Sequence, residues 1–392
     1  MTAQALATDL KLPRRHRGRP LMDFPLAAVA VALLGLGLVM IGSASAAIAD
    51  RQTGESFYYL LRQFTYIALG ASLAFGLLRI PLSVWEKSGP ALLVCGLVLL
   101  TMLFVPGLGR TVNGSTRWLM VGPFNFQVSE FVKLAVVIYM SGYLVRRGRA
   151  VRTTVAGFLI PMSLVTLIAV LLLAEPDFGA AAVLMATALG MMFLGGVRLW
   201  LFALLVGLAG AALSVLAVSS PYRLERLTTF LNPWEDPFNS GFQLTQALIA
   251  FGRGDWLGVG LGDSVQKLFY LPEAHTDFLL AVLAEELGLV GTLGVIALFA
   301  VLLWRVFRIG RRAAEAGQQF GSYLAFGVGI WIALQVVVNV GVNMGVLPTK
   351  GLTLPLMSYG GSSMLVSCMA IALVLRVGLE TQLAGMSGGG RR

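Results

Sequence analysis

Ten separate stretches of this chain are apolar for about the length that crosses a bilayer, which constrains the fold before any motif is read. A hydrocarbon core about 30 Å thick takes about 20 residues of helix, and inside it only helices or closed barrels satisfy their own backbone hydrogen bonds. The stretches are Phe24–Ile48, Phe57–Leu78, Ala91–Val105, Val128–Val145, Thr153–Ala174, Phe178–Gly196, Leu199–Val218, Phe278–Trp304, Gln319–Val346 and Leu352–Leu375. Their length and continuity predict an all-α, polytopic membrane protein. Composition agrees, with 57% of residues hydrophobic and 12% charged; soluble domains carry about twice that charge. A soluble enzyme, a disordered chain and a secreted disulfide scaffold are excluded, and Cys95 and Cys368 lie in apolar runs with no redox signal. The first stretch has a basic lead and an Ala44-Ser45-Ala46 triplet like a signal peptide's, but it is too long for one and reads as a retained anchor.

The formal charge is +10, from 29 Lys and Arg against 19 Asp and Glu. With the N-terminus placed in the cytoplasm, 19 of those cations fall on inside segments and 8 on outside segments. Cytoplasmic loops gather Lys and Arg, so the excess reads as topology and nucleic-acid binding loses its support. The expected organisation is a cytoplasmic tail over 1–23, one membrane domain over 24–380, and a cytoplasmic tail over 381–392. Within that domain an extracytoplasmic loop over 219–276 is far longer than a connector of roughly 4–6 residues. It holds six carboxylates and an amphipathic run Phe242–Phe251, the makings of a site-bearing lid on the membrane surface.

Ionisable groups inside a span are functional candidates by default. Glu130 and Lys133, three residues apart, share a helix face and suit either an internal ion pair or a substrate contact. Arg117 and Trp118 set a cation beside an interfacial aromatic, and Arg62 is placed to snorkel. Glu175 and Asp177 flank Pro176 in a loop without Lys or Arg. They suit a cation or a substrate hydroxyl, or a solvated turn in which Asp177 caps the next helix. In Glu273-Ala274-His275-Thr276-Asp277, three titratable groups crowd one boundary, more than a helix cap needs. A carboxylate half-buried there can act as a general base. Glu285 and Glu286 follow within the next span. Lys350, near the break Ser358-Tyr359-Gly360-Gly361-Ser362-Ser363, suits an anionic headgroup, whereas the glycines also fit a helix-packing motif.

Together these segments resemble the SEDS family (shape, elongation, division and sporulation) over about residues 24–380. The motifs that carry the likeness are Asn232-Pro233-Trp234-Glu235-Asp236-Pro237, Gly241-Phe242-Gln243-Leu244, Pro272 to Phe278 and Pro348 to Ser363. Their form is nearer to the division members than to the elongation members. The resemblance implies a peptidoglycan glycosyltransferase of the bacterial plasma membrane that polymerises lipid II at the septum. It implies Asp277 as the catalytic acid/base residue. It also implies a divalent cation, Mg or Mn, to assist pyrophosphate departure, a single-span penicillin-binding transpeptidase as partner, and further divisome proteins. Lys133, Glu130, Arg117, Trp118, Glu175, Asp177, Gln243, His275, Lys350, Ser358 and Ser362 are the expected substrate-binding residues. Two other classes fit the same residues: a lipid II flippase, and a non-catalytic scaffold for division proteins.

Overall fold

The structure, a computed structural model, describes residues 22–112, 115–121, 124–218, 229–268, 270–349 and 351–387. Helices α1 (Phe24–Thr53), α2 (Tyr58–Leu77) and α3 (Leu82–Met102) lead to strands β1 (Gly109–Val112), β2 (Ser115–Val121) and β3 (Phe124–Gln127). Then come α4 (Val128–Thr153), α5 (Val155–Ala174), α6 (Phe178–Leu194), α7 (Leu199–Val218) and α8 (Phe242–Gly254). Helices α9 (Leu279–Glu315), α10 (Gln319–Asn343) and α11 (Gly361–Ser387) complete the order. Among the described residues, α1 to α5 and α9 to α11 are long and apolar enough to cross a membrane. Helix α6 is apolar but only 17 residues long, and α7 has 20 residues and packs against α6. The chain is a multi-pass membrane protein.

Several expectations are corrected. The third span begins at Leu82, not Ala91, because the Glu380 carboxylate of α11 accepts the Leu82 N–H at 2.9 Å and starts the helix outside the apolar run. Helices α4 and α9 likewise run past Val145 and Trp304 to Thr153 and Glu315, since charged turns continue a helix beyond the bilayer. The last span starts at Gly361 rather than Leu352, and the Ser358–Gly360 segment precedes the helix instead of interrupting it. A Cβ on Gly361 would come 2.8 Å from the Tyr66 ring, so only glycine allows α11 to begin there against α2. The segment between α3 and α4, for which the sequence predicts no strand, forms an antiparallel sheet in the order β1-β2-β3. Ser362, in the first turn of α11, pins that sheet by accepting the Gln127 N–H at 2.8 Å.

Helix α4 is the centre of the bundle. From Val128 to Leu144 every side chain except Phe131 is buried, against α3, α5, α6, α10 and α11. A helix with no lipid-facing side can carry polar residues such as Glu130 and Lys133 only where protein partners meet them.

Helix α9 is interrupted at Gly288 (φ 65°, ψ −164°), backbone essentially closed to residues with a Cβ. An interruption at membrane depth orphans backbone groups, which need protein partners. Here the residues that follow α8 supply them. Val259 and Gly260 donate to the Glu285 and Glu286 carbonyls at 3.0 and 3.1 Å, while Leu289 and Val290 donate to the Asp255 and Trp256 carbonyls at 2.9 and 3.1 Å. The two backbones cross closely enough that a Cβ on Gly258 would lie 2.1 Å from the Glu286 carbonyl oxygen.

The side chains of Glu285 and Glu286 complete the crossing. Glu285 accepts from the Val265 and Gln266 N–H groups at 3.1 and 3.2 Å and pairs with Arg253 at 3.3 Å. Glu286 accepts from Ser43 of α1 at 2.6 Å and pairs with Lys267 at 2.8 Å. Gly288→Ala is therefore expected to destabilise the protein by about 1–3 kcal/mol. Gly294→Ala, where a Cβ meets nothing within 4 Å, should be neutral or stabilising. Thermal unfolding of the two variants in detergent checks the contrast.

Candidate active site

The segment leading into α9 folds as a tight turn. Glu273 takes a positive φ of 57°, and its carbonyl accepts from the Thr276 and Phe278 N–H groups, each at 3.2 Å. Thr276 spends its hydroxyl on the Glu273 carboxylate at 2.6 Å. Neither Thr276 nor Asp277 caps the helix, as one reading of the sequence allows: the N-cap residue is Phe278, without a side-chain cap. The cap comes from α10 instead, where Asn343 Oδ1 accepts the Ala281 N–H at 3.2 Å.

Asp277 is thereby anchored by its backbone, and no described hydrogen bond engages its side chain. Its carbonyl accepts from Asn339 Nδ2 and Asn343 Nδ2, both at 3.0 Å. Asn339 Nδ2 also donates to the Leu352 carbonyl at 2.6 Å, tying the start of α9 to the loop before α11. A Cβ on Gly351 would come 3.0 Å from Asp277 Oδ2, so glycine there leaves the carboxylate its space. Burial pushes Asp277 up to about 7; Glu273 and Asp177 push the same way and Arg117 pulls it down. A carboxyl poised near neutral pH is suited to accepting a proton in a reaction.

Glu175 and Asp177 face the same electrostatic neighbourhood from the α5–α6 connection. Both are buried, so the turn is not solvated, and burial with the neighbouring Asp177 raises Glu175 to about 8 against the pull of Arg117. Asp177 Oδ1 caps α6 by accepting the Ala180 N–H at 3.2 Å. Glu175 Oε1 and Asp177 Oδ2 are buried without a hydrogen-bond partner. Arg117 on β2 is the cation that the loop itself lacks; its guanidinium donates to the Pro176 carbonyl. Trp118, next along the strand, points to the opposite face of the sheet from Arg117.

His275 packs between Tyr59 and Tyr359, with ring centroids 4.8 and 5.5 Å away, and its carbonyl accepts the Tyr359 N–H at 3.0 Å. Burial holds the imidazole below its ordinary value, with Glu273 opposing, so it is neutral at pH 7. Its Nδ1 has no partner. Arg62 donates to the Tyr58 and Tyr66 hydroxyls at 2.8 and 3.1 Å, extending this aromatic wall along α2.

Lys133 and Glu130 form the expected buried pair at 2.8 Å. Lys133 also donates to Gln335 Oε1 at 3.1 Å, and Gln335 donates to the Thr353 carbonyl at 2.9 Å, connecting the pair to the loop that holds Gly351. Ser358 closes that loop on itself by accepting the Leu354 N–H at 3.0 Å. Gln243 sits half-buried in the first turn of α8, and no described hydrogen bond joins it to the Asp277 turn. Lys350 lies outside the described residues.

Sequence reasoning missed Gln335, Asn339 and Asn343. The signal was present: three amides four residues apart on an otherwise apolar span mark one polar helix face.

These features define a polytopic membrane protein with a group of carboxylates beside an aromatic cluster at the start of one of its long helices. The family described as "Cell cycle protein" (FtsW, RodA and SpoVE) matches residues 25–383, and the chain belongs to it. A relative from Nitrosococcus halophilus (strain Nc4), named a probable peptidoglycan glycosyltransferase FtsW, is 63% identical over 93% of this chain and 94% of its own length. One of the same name from Thioalkalivibrio sulfidiphilus (strain HL-EbGR7) is 62% identical over 93% of this chain and 91% of its own. Among solved structures, one titled for coordination of polymerization and crosslinking by a peptidoglycan synthase complex matches with TM-score 0.75 and 32% identity, covering 92% of this chain and 98% of that one. The rod shape determining protein RodA of Thermus thermophilus matches with TM-score 0.67 and 28% identity, covering 91% and 96%.

The anchoring of Asp277 predicts an asymmetry between two variants of Asn339. Asn339→Ala leaves the Asp277 and Leu352 carbonyls short of a donor, at about 1–3 kcal/mol for buried groups. Asn339→Asp should destabilise at least as much despite its matching shape, because a carboxylate offers those carbonyls no N–H. Denaturation midpoints in detergent, compared with wild type, test this.

Proposed function

We infer that this protein is a peptidoglycan glycosyltransferase that polymerises lipid II into β-1,4-linked glycan strands for the septal wall. Family membership and relatives bearing that name support the reaction class, and the Asp277 turn is the observation that carries the site. Asp277 accepts the proton of the acceptor's GlcNAc 4-hydroxyl while that oxygen bonds to the anomeric carbon of the donor. The bond from that carbon to the undecaprenyl pyrophosphate breaks as the new one forms, with inversion, and the pyrophosphate leaves with the electron pair. Arg117 lies close enough to influence both Asp277 and Glu175 and is the described cation best placed to offset charge in the cleft.

A divalent cation, Mg or Mn, fits the oxygen chemistry of the two orphaned acceptors Glu175 Oε1 and Asp177 Oδ2. Among the described residues no three carboxylate, His or Cys groups gather round one point, so the phosphates would complete the coordination, as is usual for Mg. Such an ion supplies charge neutralisation at the departing pyrophosphate. We place the protein in the bacterial plasma membrane with both termini cytoplasmic, beside a single-span penicillin-binding transpeptidase and other divisome proteins.

The flippase reading draws on Glu130, Lys133, Glu285 and Glu286 as a path through the membrane. All four are held in ion pairs inside the protein, which favours structural duty for them and leaves the Asp277 cleft as the reactive place. The scaffold reading requires the Asp277 carboxylate to be dispensable.

Purified protein with its transpeptidase, supplied with labelled lipid II, is expected to give glycan ladders. Asp277→Asn should lower the rate by about 10²–10⁴-fold, the usual contribution of a general base. If neither form polymerises while vesicles holding the wild type translocate lipid II, the reading fails. Because the base works deprotonated and burial holds it at about 7, the wild-type rate should rise with pH through neutrality and level off above it. A profile flat between pH 5.5 and 8.5 would count against Asp277 as the base.

A further inference from the structure

At the end of the bundle opposite the Asp277 turn, α6, α9 and α10 enclose a lateral groove of about 770 Å³, within the range of roughly 300–1,000 Å³ for ligand pockets. Its floor is apolar. Gly190 and Phe193 of α6 face Ile330 and Phe326 of α10, and Phe326 stacks on Phe307 of α9 at 6.1 Å between centroids. Its rim is cationic, with Arg308, Arg311 and Arg312 on the last turns of α9. Arg311 pairs with Glu315 at 3.0 Å on the exposed surface, a weak and screened contact. Among the described residues no carboxylate partner exists for Arg308 or Arg312, and Arg308 stands 5.1 Å above the exposed Trp304 ring. Arg305, in the same run, differs: it turns away to Asp23 of α1 and forms a bidentate pair.

An apolar trough ending in unpaired arginines beside an interfacial tryptophan selects a molecule with an apolar chain and an anionic head. We propose that this groove binds an anionic phospholipid, with Arg308 and Arg312 on the headgroup phosphate and an acyl chain along Phe193, Phe326 and Ile330. Guanidinium forks match phosphate oxygens bidentately, and basic pockets between transmembrane helices characteristically hold acidic headgroups. The groove lies at the other end of α9 from the catalytic turn, so its occupant is not the polymerised substrate.

The test uses the full-length protein in detergent with added lipid. Phosphatidylglycerol is expected to raise the unfolding temperature and to survive delipidation in native mass spectrometry, with a preference of about tenfold over phosphatidylcholine. Arg308→Gln with Arg312→Gln should abolish the preference, and Arg308→Lys with Arg312→Lys should keep part of it. A charge-matched control, Arg79→Gln in the α2–α3 connection with Lys87→Gln in the second turn of α3, should keep all of it. Equal retention of the two lipids by wild type would overturn the proposal. So would an undiminished preference in the Gln pair, or equal protection by inorganic phosphate.

Discussion

Four backbone hydrogen bonds across the interruption at Gly288 hold the Asp277 end of this protein in place. A helix at membrane depth cannot leave peptide groups unpaired, so the break in α9 must be sealed by another stretch of backbone. The stretch from Asp255 to Gly260 seals it. Once those residues are fixed, the rest of the connection from α8 to α9 has a set path. Glu285 draws in Val265 and Gln266, Lys267 reaches Glu286 and Ser43, and Leu271 returns its N–H to Gln266 at 2.9 Å. The chain then arrives at the Glu273 turn from a fixed direction. The Asp277 turn is thus a consequence of how a long loop repairs a broken helix.

The second organising element is the polar face of α10. Gln335, Asn339 and Asn343 each join two or more segments that do not touch in sequence. Gln335 lies between Lys133 of α4 and the loop before α11, Asn339 joins that loop to the start of α9, and Asn343 grips the start of α9 at Asp277 and Ala281. Amides suit this work in an apolar bundle because they offer donors and acceptors together without a charge to neutralise. Within the helices buried ionisable groups come as pairs, as in Glu130 with Lys133 and Glu286 with Lys267. The buried Glu175 and Asp177 of the α5–α6 connection, by contrast, form no ion pair among the described residues.

Much of this was legible in the sequence, and what was not has a physical cause. Apolar length marked the spans because the bilayer imposes one thickness on every crossing. It misplaced the ends of α3, α4 and α9 because helices continue on local hydrogen bonding after hydropathy falls. The β-sheet went unread because strands as short as Gly109–Val112 and Phe124–Gln127 are defined by their partners. Asp277 and the Glu130–Lys133 pair stood out because charge is scarce in such a chain. The alternative reading of Thr276 or Asp277 as a mere cap does not hold, because Asn343, 62 residues after Ala281, fills that role. A partner so distant leaves no trace in the motif itself.

The anchors of Asp277 are electrically neutral. A lysine or arginine in place of Asn339 and Asn343 would hold the turn as firmly, yet its charge would stabilise the carboxylate and drag its proton affinity back to that of an ordinary surface acid. Two carboxamides gripping the main-chain oxygen separate the fixing of this carboxyl in space from the setting of its basicity. Position is dictated from α10, and affinity for a proton is left to the low polarity of the cleft and to Glu273, Asp177 and Arg117. Each can therefore be altered by substitution without disturbing the other.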